Sequence, residues 1–211
     1  MSLRRLPVYV LADCSGSMAG APIESVKSGI RELHNELMGD PQTIESAYLS
    51  VITFDTNAKQ LVPLTELPLF NPPDLVASGV TSLGAALRLL DDRITNEVRK
   101  TGEQKGDWKP LVFLLTDGAP TDDWESAADH IKRYVSCNII CVACGEGADP
   151  EVLKRVSNTV MILRDMTPDS FKQFFKWVSA SIKQTSAKAG RVEENAGVQL
   201  PPVPPTITIH P

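Results

Sequence analysis

Four cysteines, three histidines and an aromatic content of 6% in 211 residues leave little material for several classes of protein. So few cysteines do not staple a chain of this length, and their scarcity fits a reducing compartment. No apolar run approaches the roughly 18 residues that a membrane-spanning helix requires, because charge interrupts every long hydrophobic stretch. The opening residues Met1-Ser2-Leu3-Arg4-Arg5-Leu6-Pro7 hold two arginines but no apolar signal-peptide core before Asp13. Positive charge is short as well: 21 basic against 26 acidic side chains give a net charge of −5. Neutralising a phosphate backbone needs a basic face, so nucleic acid is not an expected partner. A cytoplasmic protein with no membrane contact is the expectation.

What is present is a core. Hydrophobic residues make up 42% of the chain, enough for one sizeable domain without covalent help. Apolar runs alternate with helix-period segments. Residues 7–12 (PVYVLA) and 110–116 (PLVFLLT) are nearly all apolar, as strands buried on both faces are. Between them, Ile23, Val26, Ile30, Leu33 and Leu37 recur at steps of three and four, predicting an amphipathic helix over 23–38 with Pro22 in its first turn. Residues 47–54 and 58–64 read as two strands joined by Asp55-Thr56-Asn57, and a proline-rich loop leads to a helix over 83–100. Further on, the pattern predicts helices over 123–135, 150–156 and 169–183 and strands over 138–143 and 160–163. The expected fold is α/β: a Rossmann-like, doubly wound, mostly parallel sheet of about six strands with one antiparallel edge strand.

The domain is expected to span residues 1–183, and 184–211 to form a proline-rich C-terminal tail. Gly190, the charged stretch 191–194 and Pro201-Pro202-Val203-Pro204-Pro205 suit an extended linker or packing arm. A PxxP spacing in it offers the alternative of a scaffold that binds partners through the tail.

In open α/β sheets, ligands bind beyond the carboxyl ends of the strands, where the strand order reverses. Three short stretches fall at such places: Asp13-Cys14-Ser15-Gly16-Ser17 after the first strand, Thr81 ahead of Leu83-Gly84, and Asp117-Gly118 after the 110–116 strand. Asp13, Ser15 and Ser17 stand at alternate positions, which in a roughly extended loop turns three oxygens to one side. Thr81 adds a hydroxyl and Asp117 a carboxylate. An all-oxygen set without histidine or cysteine suits a hard divalent cation: Mg²⁺ first, with Mn²⁺ or Ca²⁺ as alternatives. Each of these residues has a plainer use, since Ser17 or Gly20 leads into a helix and Thr81 or Ser82 can cap one.

Asp13-x-Ser15-x-Ser17, Thr81 and Thr116-Asp117-Gly118 together resemble the metal-ion-dependent adhesion site of von Willebrand factor A domains, over about residues 6–183. The stretch Thr116-Asp117-Gly118-Ala119-Pro120-Thr121-Asp122 is similar to the bacterial TerY-type proteins of tellurite-resistance loci. The resemblance implies a non-enzymatic protein-interaction module. Ser15, Ser17 and, in the open form, Thr81 would bind the ion directly. Asp13 and Asp117 would act largely through water, with Asp117 closer to the metal in the closed form. A partner's Asp or Glu would complete the coordination. The TerY-type likeness further implies a stress-response role with kinase- or phosphatase-like partners from the same locus.

Rival chemistry finds less support. Asp13 could act as the aspartyl nucleophile of a metal-dependent phosphohydrolase, but the second acid that such sites want two residues on is here Ser15. Neither a Walker-type nor a nucleophile-elbow motif occurs, and His34, His130 and His210 are scattered. Cys137, Cys141 and Cys144 have cluster-like spacing, yet lie along one apolar strand that would send Cys144 to the opposite face from the other two. Cys14, in the loop of the adhesion motif, has no role as its default reading, with an exposed, oxidation-sensitive thiol as the alternative. Trp108 and Trp124 are expected to cap the core.

Overall fold

The computed structural model of the chain describes residues 4–100, 106–189 and 200–210; the charged stretch 191–194 lies outside them. Seven strands form one sheet: β1 (Leu6–Asp13), β2 (Ala47–Phe54), β3 (Ala58–Glu66), β4 (Leu111–Thr116), β5 (Asn138–Cys144), β6 (Thr159–Leu163) and β7 (Ile207–His210). They are ordered β3-β2-β1-β4-β5-β6-β7. The five central strands are parallel, while β3 and β7 pair antiparallel at the two edges. The mostly parallel α/β sheet is the one its apolar patterning predicts. It differs in having two antiparallel edges and one strand more than expected, because 207–210 in the C-terminal stretch pair with β6.

Helices cover both faces. On one lie α1 (Ala21–Met38), the short α2 (Pro41–Ser46) and α6 (Pro168–Ala189). On the other lie α3 (Leu83–Glu97), α4 (Trp124–Tyr134) and α5 (Pro150–Val156). Every residue of β1 is buried, and its side chains alternate between the two cores. Val8, Val10 and Ala12 meet Val26, Ile30, Phe171 and Phe175, whereas Tyr9 and Leu11 meet Leu87, Ala128 and Ile131. A strand sandwiched between helix layers gains from apolar side chains on both faces. Gly29 sets the α1–α6 approach, since a Cβ there would lie 1.9 Å from the Phe175 ring.

α2 has no counterpart among the predicted helices. Its start is nevertheless written locally: Pro41 opens it, and the Asp40 carboxylate accepts the Thr43 amide at 2.8 Å. Within the C-terminal stretch, residues 200–203 are held against the domain. The Trp177 indole donates to the Pro201 carbonyl at 3.0 Å, and Leu200 and Val203 pack against the α1/α6 core.

At the amino end of the central strands, Asp107 has a side chain only 1% exposed and pairs with Arg5 and Arg99. Arg4 lies over the half-buried Trp108, with its guanidinium 3.8 Å from the ring centroid. The carboxyl ends therefore face the other way, free of that network.

Candidate metal centre

The chain leaves β1 to build β2 and β3 on one side, then returns to build β4 on the other. β1 and β4 are thus neighbours at the point where strand order reverses, and Ala12 aligns with Leu115. That register brings Asp13 and Asp117 to adjacent strand ends. The Thr116 hydroxyl donates to Asp13 Oδ2 at 2.5 Å, and the Ser15 amide donates to Asp13 Oδ1 at 2.8 Å. The loop then turns through a single 3-10 turn, Gly16–Met18. There the Ser15 and Ser17 hydroxyls lie 3.0 Å apart, and Ser17 Oγ donates to Asp117 Oδ1 at 2.7 Å.

Thr81 arrives on the third loop. A Cβ built on Gly118 would lie 3.2 Å from Thr81 Oγ1 and 3.9 Å from Ser17 Oγ, so both hydroxyls face the same glycine. Two backbone bonds tie the loop to the first, from Gly16 N to the Gly79 carbonyl at 3.1 Å and from Ser78 N to the Cys14 carbonyl at 2.8 Å. Gly79 has φ +70°, and a Cβ on it would lie 2.2 Å from Thr56 Oγ1. Only glycine suits that position. All five predicted donor residues are thereby gathered at one end of the sheet.

The hydroxyls are not spent on helix caps. Ser15 and Ser82 occupy cap positions without a side-chain capping bond, and Ser82 Oγ donates to the Thr56 carbonyl instead. The carboxylate of Asp122 caps α3, accepting from Gly84 N at 3.0 Å and Ala85 N at 2.8 Å. Together with the bond from Thr121 N to the Thr81 carbonyl at 2.9 Å, this locks the second and third loops together. Sequence reasoning missed Thr116 and Asp122 as supports of the cluster. A carboxylate lying 38 positions from the amide it caps leaves no local trace.

Among the described residues the cluster's carboxylates have no paired countercharge. Asp13 is fully buried and Asp117 6% exposed, and among the described residues neither forms a salt bridge. Burial pushes both carboxyls above their ordinary pKa, against the hydrogen bonds from Thr116 and Ser15 on one and from Ser17 on the other; Asp117's charge raises Asp13 further. Two desolvated carboxylates among hydroxyls fit a hard cation, which would supply the missing positive charge. Among the described residues no three His, Cys, Asp or Glu side chains cluster as metal ligands, so a site here depends on its hydroxyls.

Cys14 is buried, against the exposed-thiol alternative, and burial, with the charges of Asp13 and Asp55, pushes its thiol up to about 12. It is therefore a packing residue. Cys141 and Cys144 are buried in opposite cores, and Cys137 is half-buried beside the first of them. A cavity of about 290 Å³ lies at the amino ends of β5 and β6, lined by Lys109, Lys132, Cys137 and Asn158. It is far from the oxygen cluster and shares no residue with it.

The sequence profile of the von Willebrand factor type A domain matches residues 8–177. The chain belongs to the von Willebrand factor type A domain family. Such domains are typically protein-interaction modules, often metal-dependent. A relative, the uncharacterized protein sll0103 of Synechocystis sp., is 32% identical over 124 residues, 54% of this chain and 26% of that protein. The matched region is thus about a quarter of the relative's length. Among solved structures, a von Willebrand factor type A protein from Catenulispora acidiphila superposes with a TM-score of 0.63 at 21% identity, covering 85% of this chain and 43% of that one. Proximal thread matrix protein 1 of the mussel byssus, with a zinc-occupied adhesion-site motif, gives 0.61 at 17% identity, covering 86% and 48%. At these identities the likeness is one of fold. Among the described residues no helix is long and apolar enough to cross a membrane.

Proposed function

We propose that Asp13, Ser15, Ser17, Thr81 and Asp117 form a metal-ion-dependent adhesion site that recognises a protein partner through an Asp or Glu. Mg²⁺ is the first candidate ion, with Mn²⁺ and Ca²⁺ as alternatives. The observation that carries the reading is the chain of short contacts from Ser15 through Ser17 to Asp117, beside two buried carboxylates that have no basic partner among the described residues. When bound, a divalent cation supplies a Lewis-acidic position that a partner carboxylate completes. The chain's own part is to keep its hydroxyls forward. Asp13 is held back by Thr116 and Ser15 N, so neutral oxygens make up most of the set and leave the ion's charge largely unspent. The zinc in the mussel byssus protein supports a metal at the corresponding motif.

The phosphohydrolase alternative gains nothing from Asp13. Both of its oxygens accept hydrogen bonds and none of its surface is exposed, which is no posture for a nucleophile. The link to tellurite-resistance loci and to kinase- or phosphatase-like partners is carried by the sequence resemblance alone, and the cytoplasmic expectation by the scarcity of cysteine and of long apolar runs. The test is a thermal melt of metal-free protein with and without Mg²⁺ or Mn²⁺. The ion raises the melting temperature of the wild type and leaves Ser15→Ala unmoved. A wild type indifferent to both ions sinks the site.

A further inference from the structure

The loop that delivers Thr81 carries two apolar side chains that the fold leaves uncovered. Val76 is 72% exposed and Val80 48%. Scattered exposed valines are ordinary, so position decides whether these two matter. The segment climbs along α1 toward the oxygen cluster and is pinned at three levels. The Phe70 ring lies 5.3 Å from that of His34, Asp74 pairs with Lys27 at 2.8 Å, and Ser78 and Gly79 bond to the Asp13–Ser17 loop. The exposure therefore belongs to a fixed surface. Val80 adjoins Thr81 directly. Val76 stands three residues before Gly79, about 10 Å at the rise of extended chain.

Sheet order places Val80, next to Gly79, on the β2 flank of the cluster, where Gly79 packs against Thr56. Val76 lies earlier on the same loop, two residues after the Asp74 that pairs with Lys27 of α1. On the β5 flank the character is opposite. A Cβ on Gly147 would lie 2.6 Å from the Asp117 carbonyl, and the neighbouring Glu146 is exposed. The cluster thus stands between an apolar flank and an acidic one, on a chain of net charge −5. A polyacidic partner segment would meet repulsion on the Glu146 side and find no countercharge on the valine side.

Resting on the adhesion-site reading above, we infer that the partner is a protein segment whose carboxylate has a bulky apolar side chain within three residues, and that this side chain packs on Val80 and Val76. The carboxylate supplies attraction and the valines supply selectivity, by burying a neighbour that a lone acid lacks.

Random linear peptides displayed on phage, selected on the full chain in Mn²⁺ and released with EDTA, test this directly. The released peptides are expected to carry Asp or Glu with Leu, Ile, Met or Phe within three positions. The synthetic consensus peptide is expected to lose at least tenfold in affinity on the Val76→Ser, Val80→Ser double variant, whose Mn²⁺ affinity by calorimetry matches the wild type. EDTA-released acidic peptides with no apolar neighbour, or equal affinity for the double variant, overturn the inference and leave the adhesion site standing. Failure to recover any EDTA-released peptide overturns carboxylate capture itself, and this inference with it.

Discussion

Ser17 Oγ donates a 2.7 Å hydrogen bond to Asp117 Oδ1 across 100 positions of sequence, joining the loop after β1 to the loop after β4. Ser17 is exposed, but its hydroxyl satisfies one oxygen of the buried Asp117 carboxylate. Ser17→Ala is expected to cost about 1–2 kcal/mol when metal-free. Its Mn²⁺ affinity is expected to fall by at least about tenfold, as measured by calorimetry. Unchanged affinity would remove Ser17 from the donor set.

Asp117→Asn tests the uncompensated charge. The variant keeps an oxygen to accept from Ser17 while deleting the charge of a buried carboxylate that has no basic partner among the described residues. Melting in EDTA is expected to rise by a few degrees, while the gain from Mg²⁺ shrinks or vanishes. The crossed outcome distinguishes a binding site from a structural network, where the same substitution destabilises under both conditions.

Gly79→Ala reaches the cluster without touching a donor. The left-handed backbone and the 2.2 Å approach to Thr56 Oγ1 oblige the loop to move, and Thr81 with it. Weaker Mn²⁺ binding is expected, together with a stability loss of about 1–3 kcal/mol in denaturant titration.

The fold's stability should turn on pH through the opposite end of the sheet. Burial pushes the Asp107 carboxyl up, but hydrogen bonds from Arg5 and the Arg99 amide, with the charges of both guanidinium groups, outweigh it and hold the pKa below the usual carboxylate range. A lowered folded-state pKa stabilises above the unfolded value of about 3.9 and is lost as pH falls through the lowered one. Asp107→Asn is expected to cost about 3 kcal/mol at pH 7, with the gap to wild type closing in melts below about pH 4. A gap independent of pH would contradict the ion pairing.

The strands that build the site were legible because each is buried on both faces. LPVYVLAD and LVFLLT have no polar side to disguise them, and their carboxyl ends hold Asp13 and Asp117. The edges were not. β7 is four residues long, with two of its side chains half-buried and Ile209 exposed, so its pairing with β6 leaves no periodic mark. α6 outruns the predicted end at 183 because its last turns are polar and apolar spacing stops marking the helix. Among the donors, the motif residues could be read from spacing. Thr116, Asp122 and Gly79 hold them in place through long-range hydrogen bonds and a close approach to Thr56, which only the folded chain reveals.

Calorimetric titration of Mn²⁺ into the metal-free full chain reaches the central claim most directly. One ion per chain is expected to bind, with binding abolished or weakened at least tenfold in Ser15→Ala and in Thr81→Ala. No binding to the wild type, or equal binding to both alanine variants, would contradict a cation held among these oxygens.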